Sequence, residues 1–190
     1  YPDGSFIYHK IFAYNGGYGT GLLNSLSIFL YLLSGTEYNF DEELVASYIE
    51  NVQESHLPLI YKGKMMYMVQ GRNVSRPVLN PSFYDMRCLL TLAENCEDQT
   101  AKNAIRSAVK YSLEATVDFY NSVDVLENDY NFLKLLADDS VKAAPYMKGI
   151  KVYGAMSRFV QTTDTYGAGL ALSRKHIASY ESINDENFYG

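Results

Sequence analysis

The chain lacks any long apolar run and any low-complexity tract, and it has no surplus of basic charge. The first two absences exclude a conventional membrane-spanning helix and a disordered polar segment. The third follows from a formal net charge of −6 and a pI near 5.0, and it excludes a nucleic-acid binder that works through a general basic surface. Any polyanion must therefore meet a local basic site. Cysteine is scarce as well, with only Cys88 and Cys96. Eight residues apart in a helical segment, they are separated by about 12 Å along the axis, too far for a disulfide. Neither lies in a CxxC or His/Cys ligand pattern, so no metal site and no cofactor are expected. The chain opens on Tyr1-Pro2 without an initiator Met or a charged-then-apolar leader. An export signal, if used, is then one already removed or one lying upstream of this segment.

What is present is a globular composition, 47% hydrophobic and 20% charged over 190 residues. That length allows one sizeable core, or one small domain with the edge of a second. Leu22, Leu23, Leu26, Phe29, Leu30 and Leu33 recur at helical spacing and predict a largely buried helix over 20–35 that stops at Gly35. Asn39-Phe40-Asp41-Glu42 reads as a capping box for a second helix, with Leu44, Val45, Tyr48, Ile49 and Val52 on one face. Further helices are predicted from Pro81 to about Asn95, over about 101–121 with Ile105, Ala108, Val109, Leu113 and Val117 inward, and over about 131–137. After Pro145 the period changes to two. Lys151–Tyr153, Arg158–Gln161 and Tyr166–Leu172 predict strands, and Ile177–Glu181 one more.

Helices first and strands afterwards make this an α+β chain with segregated layers. The expected division is a helical part over 1–140 and the start of an antiparallel β domain over 141–190. The strand portion is too short to close a sandwich by itself.

Three segments could carry chemistry. Tyr14-Asn15-Gly16-Gly17-Tyr18-Gly19-Thr20-Gly21 is glycine-rich and precedes a helix. It has neither the GxxxxGK[ST] pattern nor a strand-loop-helix unit with a distal acid, so nucleotide binding is not expected. Alone, it reads as a tight turn whose glycines permit positive φ. His9 and Tyr18 flank it together with Phe12 and Tyr14, a composition suited to stacking on sugar rings beside a titratable pair, although each residue alone could be structural. Arg72 and Arg76 stand four apart, as a pair that grips an anion or as two solvated charges. The third segment, Ser179-Tyr180-Glu181-Ser182-Ile183-Asn184, is a polar loop with groups that pair with sugar hydroxyls.

Three stretches taken together, DGSFIYH followed by YNGGYG, PLIYKGKMMYMVQGRNVSR, and MSRFVQ with YESINDEN, resemble polysaccharide lyase family 8, the hyaluronate, chondroitin AC and xanthan lyases. The resemblance spans almost the whole chain. It implies the C-terminal part of a helical α/α toroid followed by the first strands of an antiparallel β-sandwich domain. It further implies β-elimination on a uronate-containing acidic polysaccharide, a glycosaminoglycan of the chondroitin or hyaluronan class. His9 matches the family's catalytic His and Tyr18 its catalytic Tyr. Arg72 matches the Arg that binds substrate and favours the phenolate, with Arg76 as companion. Glu181 and Asn184 match β-domain residues that reach into the cleft, and Tyr14 and Asn15 are expected to contact substrate. An Asn that neutralises the uronate carboxylate belongs, in the family, to an aromatic-rich segment upstream of DGSF. The isolated segment is accordingly expected to turn over little. Two positions depart from the family pattern: Tyr8, where Gln is frequent, and Val74, where small polar residues are common. The family implies a secreted or cell-surface bacterial protein, or a virion envelope protein, since it has viral members. Any membrane attachment would use a segment outside these residues. The alternative is a non-catalytic glycan-binding or virion-envelope module that retains the fold.

Overall fold

The computed structural model describes residues 1–75, 82–118 and 130–183. A small hairpin opens the chain, with β1 (Ile7–Tyr8) antiparallel to β2 (Phe12–Ala13). A π-helical turn over Asn15–Gly19 then runs without a break into α1 (Thr20–Leu33). After α2 (Glu42–Ser55) and a short 3-10 turn comes a second hairpin, β3 (Ile60–Tyr61) on β4 (Lys64–Met65). Two more 3-10 turns, Tyr67–Val69 and Gly71–Ser75, lead toward α3 (Phe83–Glu94), α4 (Gln99–Glu114) and α5 (Tyr130–Leu136). A three-stranded antiparallel sheet follows: β5 (Gly149–Tyr153), β6 (Arg158–Thr162) and β7 (Gly167–Ala171), in that spatial order. The chain is thus α+β, with two small antiparallel hairpins set among the helices, which the periodicity did not predict, and the three-stranded sheet after them.

The inward stripe of α4 is Ile105, Ala108, Val109 and Leu113, all buried in one core with Leu23, Leu89 and Phe132. Val117, expected to extend the stripe, lies past the end of α4 and is exposed. In α1 only Leu23, Ser27 and Leu30 are buried, while Leu22, Phe29 and Leu32 face outward. Among the described residues the expected buried helix is therefore half covered, chiefly by α3. In α2, Leu44 is likewise exposed. The α2 cap is Asp41 rather than Asn39: its Oδ1 accepts from the backbone N–H groups of Glu43 and Leu44 at 3.0 and 3.2 Å. Ionised Asp at that position satisfies two orphan N–H groups and complements the helix dipole. Residues 177–181 form no strand, only a bridge from Ile177 to Arg174. They are instead a loop whose Ala178 N–H donates to the Ile11 carbonyl at 2.9 Å. Both cysteines are free and buried.

A second, smaller core joins Ala13, Leu59, Met65 and Val69 to Tyr153 and Val160 of the sheet and Met156 of its β5–β6 turn. This is the seam between the helical and strand parts, and polar bonds cross it. Lys151 pairs with Glu54 at the end of α2, and the Tyr153 hydroxyl donates to the Glu54 carbonyl at 3.0 Å. At the chain's start, Asp3 Oδ2 accepts from Ala155 N–H at 2.9 Å and Ser5 Oγ from Met156 N–H at 3.2 Å. The DGSF stretch is therefore a fastener between the first loop and the β5–β6 turn.

Candidate active site

Tyr14, the N-cap of the π-helical turn, and Tyr18 within that turn meet opposite environments. The Tyr14 ring is buried, 1% exposed, and its hydroxyl donates to Glu181 Oε2 at 2.6 Å. That ring fits because glycine stands on both sides of it. A Cβ at Gly17 would sit 2.2 Å from Tyr14 Cε1, and one at Gly71, where φ is +55°, would sit 2.1 Å from Cζ. Gly16, Gly17 and Gly19 have no positive φ, so the expected left-handed turn is absent and close approach is what Gly17 supplies. Asn15 lies fully buried. Its Nδ2 donates to the carbonyls of Gly4 and Ser55 at 2.9 and 2.8 Å, and its Oδ1 accepts from Phe6 N–H at 3.3 Å. Expected as substrate contacts, Tyr14 and Asn15 are enclosed instead, with their polar atoms already engaged by the fold.

Glu181, 2% exposed, is the centre of the arrangement. Besides Tyr14 it accepts the Arg72 backbone N–H at 3.0 Å on Oε2 and Arg72 Nη1 at 3.2 Å on Oε1. Burial alone would raise its pKa; the Tyr14 bond, the Arg72 N–H, the guanidinium and nearby His9 together outweigh it and hold the carboxyl below its ordinary value. Tyr14 moves the other way, pushed up by burial first and by Glu181 second. The second arm of Arg72, Nη2, donates to the Tyr18 hydroxyl at 3.4 Å. Tyr18 is 37% exposed, and the His9 ring meets it edge-on with centroids 5.5 Å apart. His9 stands at the tip of the β1–β2 hairpin with φ +49°, a left-handed conformation uncommon outside glycine, and Lys10 follows at +70°. His9, Tyr18, Arg72 and Glu181 are thus brought into one constellation: an exposed His–Tyr pair, a guanidinium behind the phenol, and a buried carboxylate behind the guanidinium. Arg76 and Asn184 lie outside the described residues.

Two buried ionisable groups support the Tyr18 turn from below. His56 Nδ1 is 2.8 Å from Ser55 Oγ, and the carbonyls of Gly19 and Asn15 come close to the ring without reaching hydrogen-bond geometry at Nε2. Burial pushes its pKa down to about 4. Asp85, in the first turn of α3, accepts the Thr20 hydroxyl at 2.5 Å, and burial pushes its pKa up to about 6.

Arg158 is the residue whose role sequence reasoning missed. It is buried, and its guanidinium donates to six carbonyls, those of Met68, Met156, Ser157, Leu172, Ala178 and Ser179, at 2.9–3.2 Å. No acid pairs with it among the described residues, and burial lowers its pKa to about 10. It ties the Tyr67–Val69 turn to the loop that carries Glu181. The available signal was an arginine in phase with Val160 and Thr162 on the inward face of a period-two strand.

An open cleft of about 390 Å³ adjoins the network, lined by Phe12, Tyr67, Met68, Arg158, Tyr180 and Glu181. A larger groove, about 800 Å³, runs between α2 and the α3–α4 turn, shares no residue with the network, and carries Glu42, Glu43, Glu50, Glu97 and Asp98. Its acidic wall suits no polyanion. Among the described residues, no three His, Cys, Asp or Glu gather to hold a metal ion, and no helix is long and apolar enough to cross a membrane.

The profile of the polysaccharide lyase family 8 N-terminal alpha-helical domain matches residues 1–111. The chain belongs to polysaccharide lyase family 8. It is 36% identical to the hyaluronate lyase HylB of Enterococcus faecalis across all of this chain and 19% of that protein. To the xanthan lyase of a Bacillus species it is 34% identical, across all of this chain and 21% of that one. The solved xanthan lyase of Paenibacillus superposes with a TM-score of 0.89 at 30% identity, over 98% of this chain and 18% of its own. A Streptomyces coelicolor chondroitin AC lyase, solved with chondroitin sulphate, gives 0.82 at 28% identity, over 98% of this chain and 27% of its own. This family 8 chain spans about a fifth of the length of the curated relatives it matches.

Proposed function

We propose that this chain carries the proton-transfer half of a lyase site that cleaves uronate-containing acidic glycans, of the chondroitin and hyaluronan class, by β-elimination. The observation that carries the reading is the solvent-facing Tyr18 hydroxyl held by Arg72, itself locked to buried Glu181, with His9 against the same phenol. In β-elimination a base takes the C5 proton of the uronate, and that electron pair becomes the C4=C5 double bond. The C4–O bond breaks, and the leaving oxygen takes a proton. His9 is the base toward C5 or the partner of the carboxylate. Tyr18 gives its proton to the leaving oxygen and, as phenolate, is the alternative base. Arg72 orients the phenol and meets the anionic sugar, Glu181 fixes Arg72, and Tyr14, Asn15 and Arg158 hold the frame.

Arg76 and Asn184 are assigned to substrate binding on the family resemblance. The carboxylate-neutralising group belongs, by the same resemblance, to a segment preceding Tyr1. Isolated residues 1–190 would therefore bind weakly and turn over little. A polymeric substrate fits a secreted or cell-surface protein. The deciding assay follows ultraviolet absorbance of the unsaturated uronate product on chondroitin, hyaluronan and xanthan, with full-length protein and its Tyr18→Phe variant. The parent is expected to act on at least one polymer, and the variant to lose about 10²–10⁴-fold in kcat. No absorbance from the parent on any uronate polymer ends the lyase reading. Full rate in Tyr18→Phe ends the assigned mechanism.

A further inference from the structure

Among the described residues, the Tyr18 hydroxyl is held by one long hydrogen bond, Arg72 Nη2 at 3.4 Å, and the phenol is over a third exposed. A single contact at the oxygen leaves the ring free to swing about it. The ring is fixed by other rings. Tyr14 meets it edge-on at 5.0 Å between centroids, and Tyr8 lies face to face with it at 3.9 Å, with 26° between the planes. Tyr8 also touches His9, edge-on at 4.5 Å. It is therefore in contact with both groups assigned to proton transfer. Its backbone is pinned by pairing with Phe12 in the β1–β2 ladder, and Phe6, just before that strand, has its ring parallel to it at 6.4 Å. Its hydroxyl makes no hydrogen bond among the described residues, so its contribution comes from the ring.

We propose that Tyr8 is a positioning residue of this site: its ring is the wall that holds the Tyr18 phenol at its distance from His9 and Arg72. Offset stacking is the arrangement that two aromatic quadrupoles favour. Proton transfer in a lyase needs the donor placed to a fraction of an ångström, and displacement by about 1 Å costs on the order of 10²-fold. The kinetic consequence rests on the lyase reading; the geometric one does not.

The test uses the full-length protein with Tyr8→Ala and Tyr8→Phe. On a uronate polymer, Tyr8→Ala is expected to lower kcat on the order of 10²-fold with KM within about threefold. Tyr8→Phe, which keeps the ring, is expected to restore kcat to within about twofold of the parent. Independently of activity, 3-fluorotyrosine incorporated in place of Tyr18 gives one narrow 19F line, displaced by the neighbouring ring, in the parent and in Tyr8→Phe. In Tyr8→Ala that line moves toward its unfolded position and broadens. An unchanged 19F line in Tyr8→Ala overturns the proposal. So does a rise in KM of about tenfold with kcat intact, which makes Tyr8 a substrate contact, and so does Tyr8→Phe as impaired as Tyr8→Ala. A parent without lyase activity removes the proposed function and leaves the fluorine result to decide the role of Tyr8.

Discussion

The helical body and the seam beneath the sheet are built on different physics. In the body, Leu23, Leu89, Ile105, Leu113 and Phe132 bury against one another across α1, α3, α4 and α5. Burial of this kind is non-directional and scales with area. In the seam, loops, a helix cap, a 3-10 turn and the first residue of β6 carry Asp3, Glu181, Tyr14, Arg72 and Arg158, each of which makes directed polar bonds. The body supplies stability and tolerates small shifts. The seam supplies position, and a lost bond there leaves a buried polar group unpaired. Substitutions in the two regions should therefore be separable by what they change.

The largest expected effect is on stability alone. Phe132→Ala should cost about 3–5 kcal/mol in urea unfolding while kcat per folded molecule stays at the parent value. A fall in kcat in fully folded Phe132→Ala would mean that the body also sets the geometry of the site.

Next comes the pair under the Tyr18 turn, whose pH effects oppose each other. His56 has a folded pKa of about 4 against an ordinary 6.5, so between those values the unfolded chain binds the extra proton. Its contribution to stability is present above pH 6.5 and falls as the pH drops toward 4, by on the order of 3 kcal/mol. Asp85 has a folded pKa of about 6 against 3.8, so there the folded chain binds the proton, and stability falls as the pH rises from about 4 to 6, by a similar order. Asp85→Asn should therefore steepen the gain of stability with pH across that window, and His56→Gln should flatten it. Urea midpoints at several pH values read both slopes, and slopes equal to the parent's would break the assignment.

The smallest effect is Gly71→Ala. The added methyl group meets the Tyr14 ring and should cost about 1–3 kcal/mol, with a fall in kcat as the Tyr14–Glu181 bond is displaced. Parent kcat in that variant would show that the seam tolerates a shift as the body does.

The body was the more legible region. Ile105, Ala108, Val109 and Leu113 announce α4 by spacing. Periodicity cannot say how much of a stripe is covered, so α1 read as buried although Leu22, Phe29 and Leu32 are exposed. In the seam, a two-residue strand such as Ile7–Tyr8 has no period to detect. The motifs singled out His9, Tyr18, Arg72 and Glu181. That Tyr14 lies on Glu181, 167 residues away, depends on two glycines and a loop fastened by Arg158, whose partners no local pattern names.

The fastening of Asp3 and Ser5 to the β5–β6 turn also bears on the order of assembly. Asp3 and Ala155 are 152 residues apart, and Ser5 and Met156 are 151 apart. Contacts of such separation close late, after local helices have formed. The stretch that carries Asp3 and Ser5 must wait for the β5–β6 turn, 152 and 151 residues further along, before it can seat. The Tyr14–Glu181 bond spans 167 residues, so an intact site is a record that two distant stretches of the chain have met.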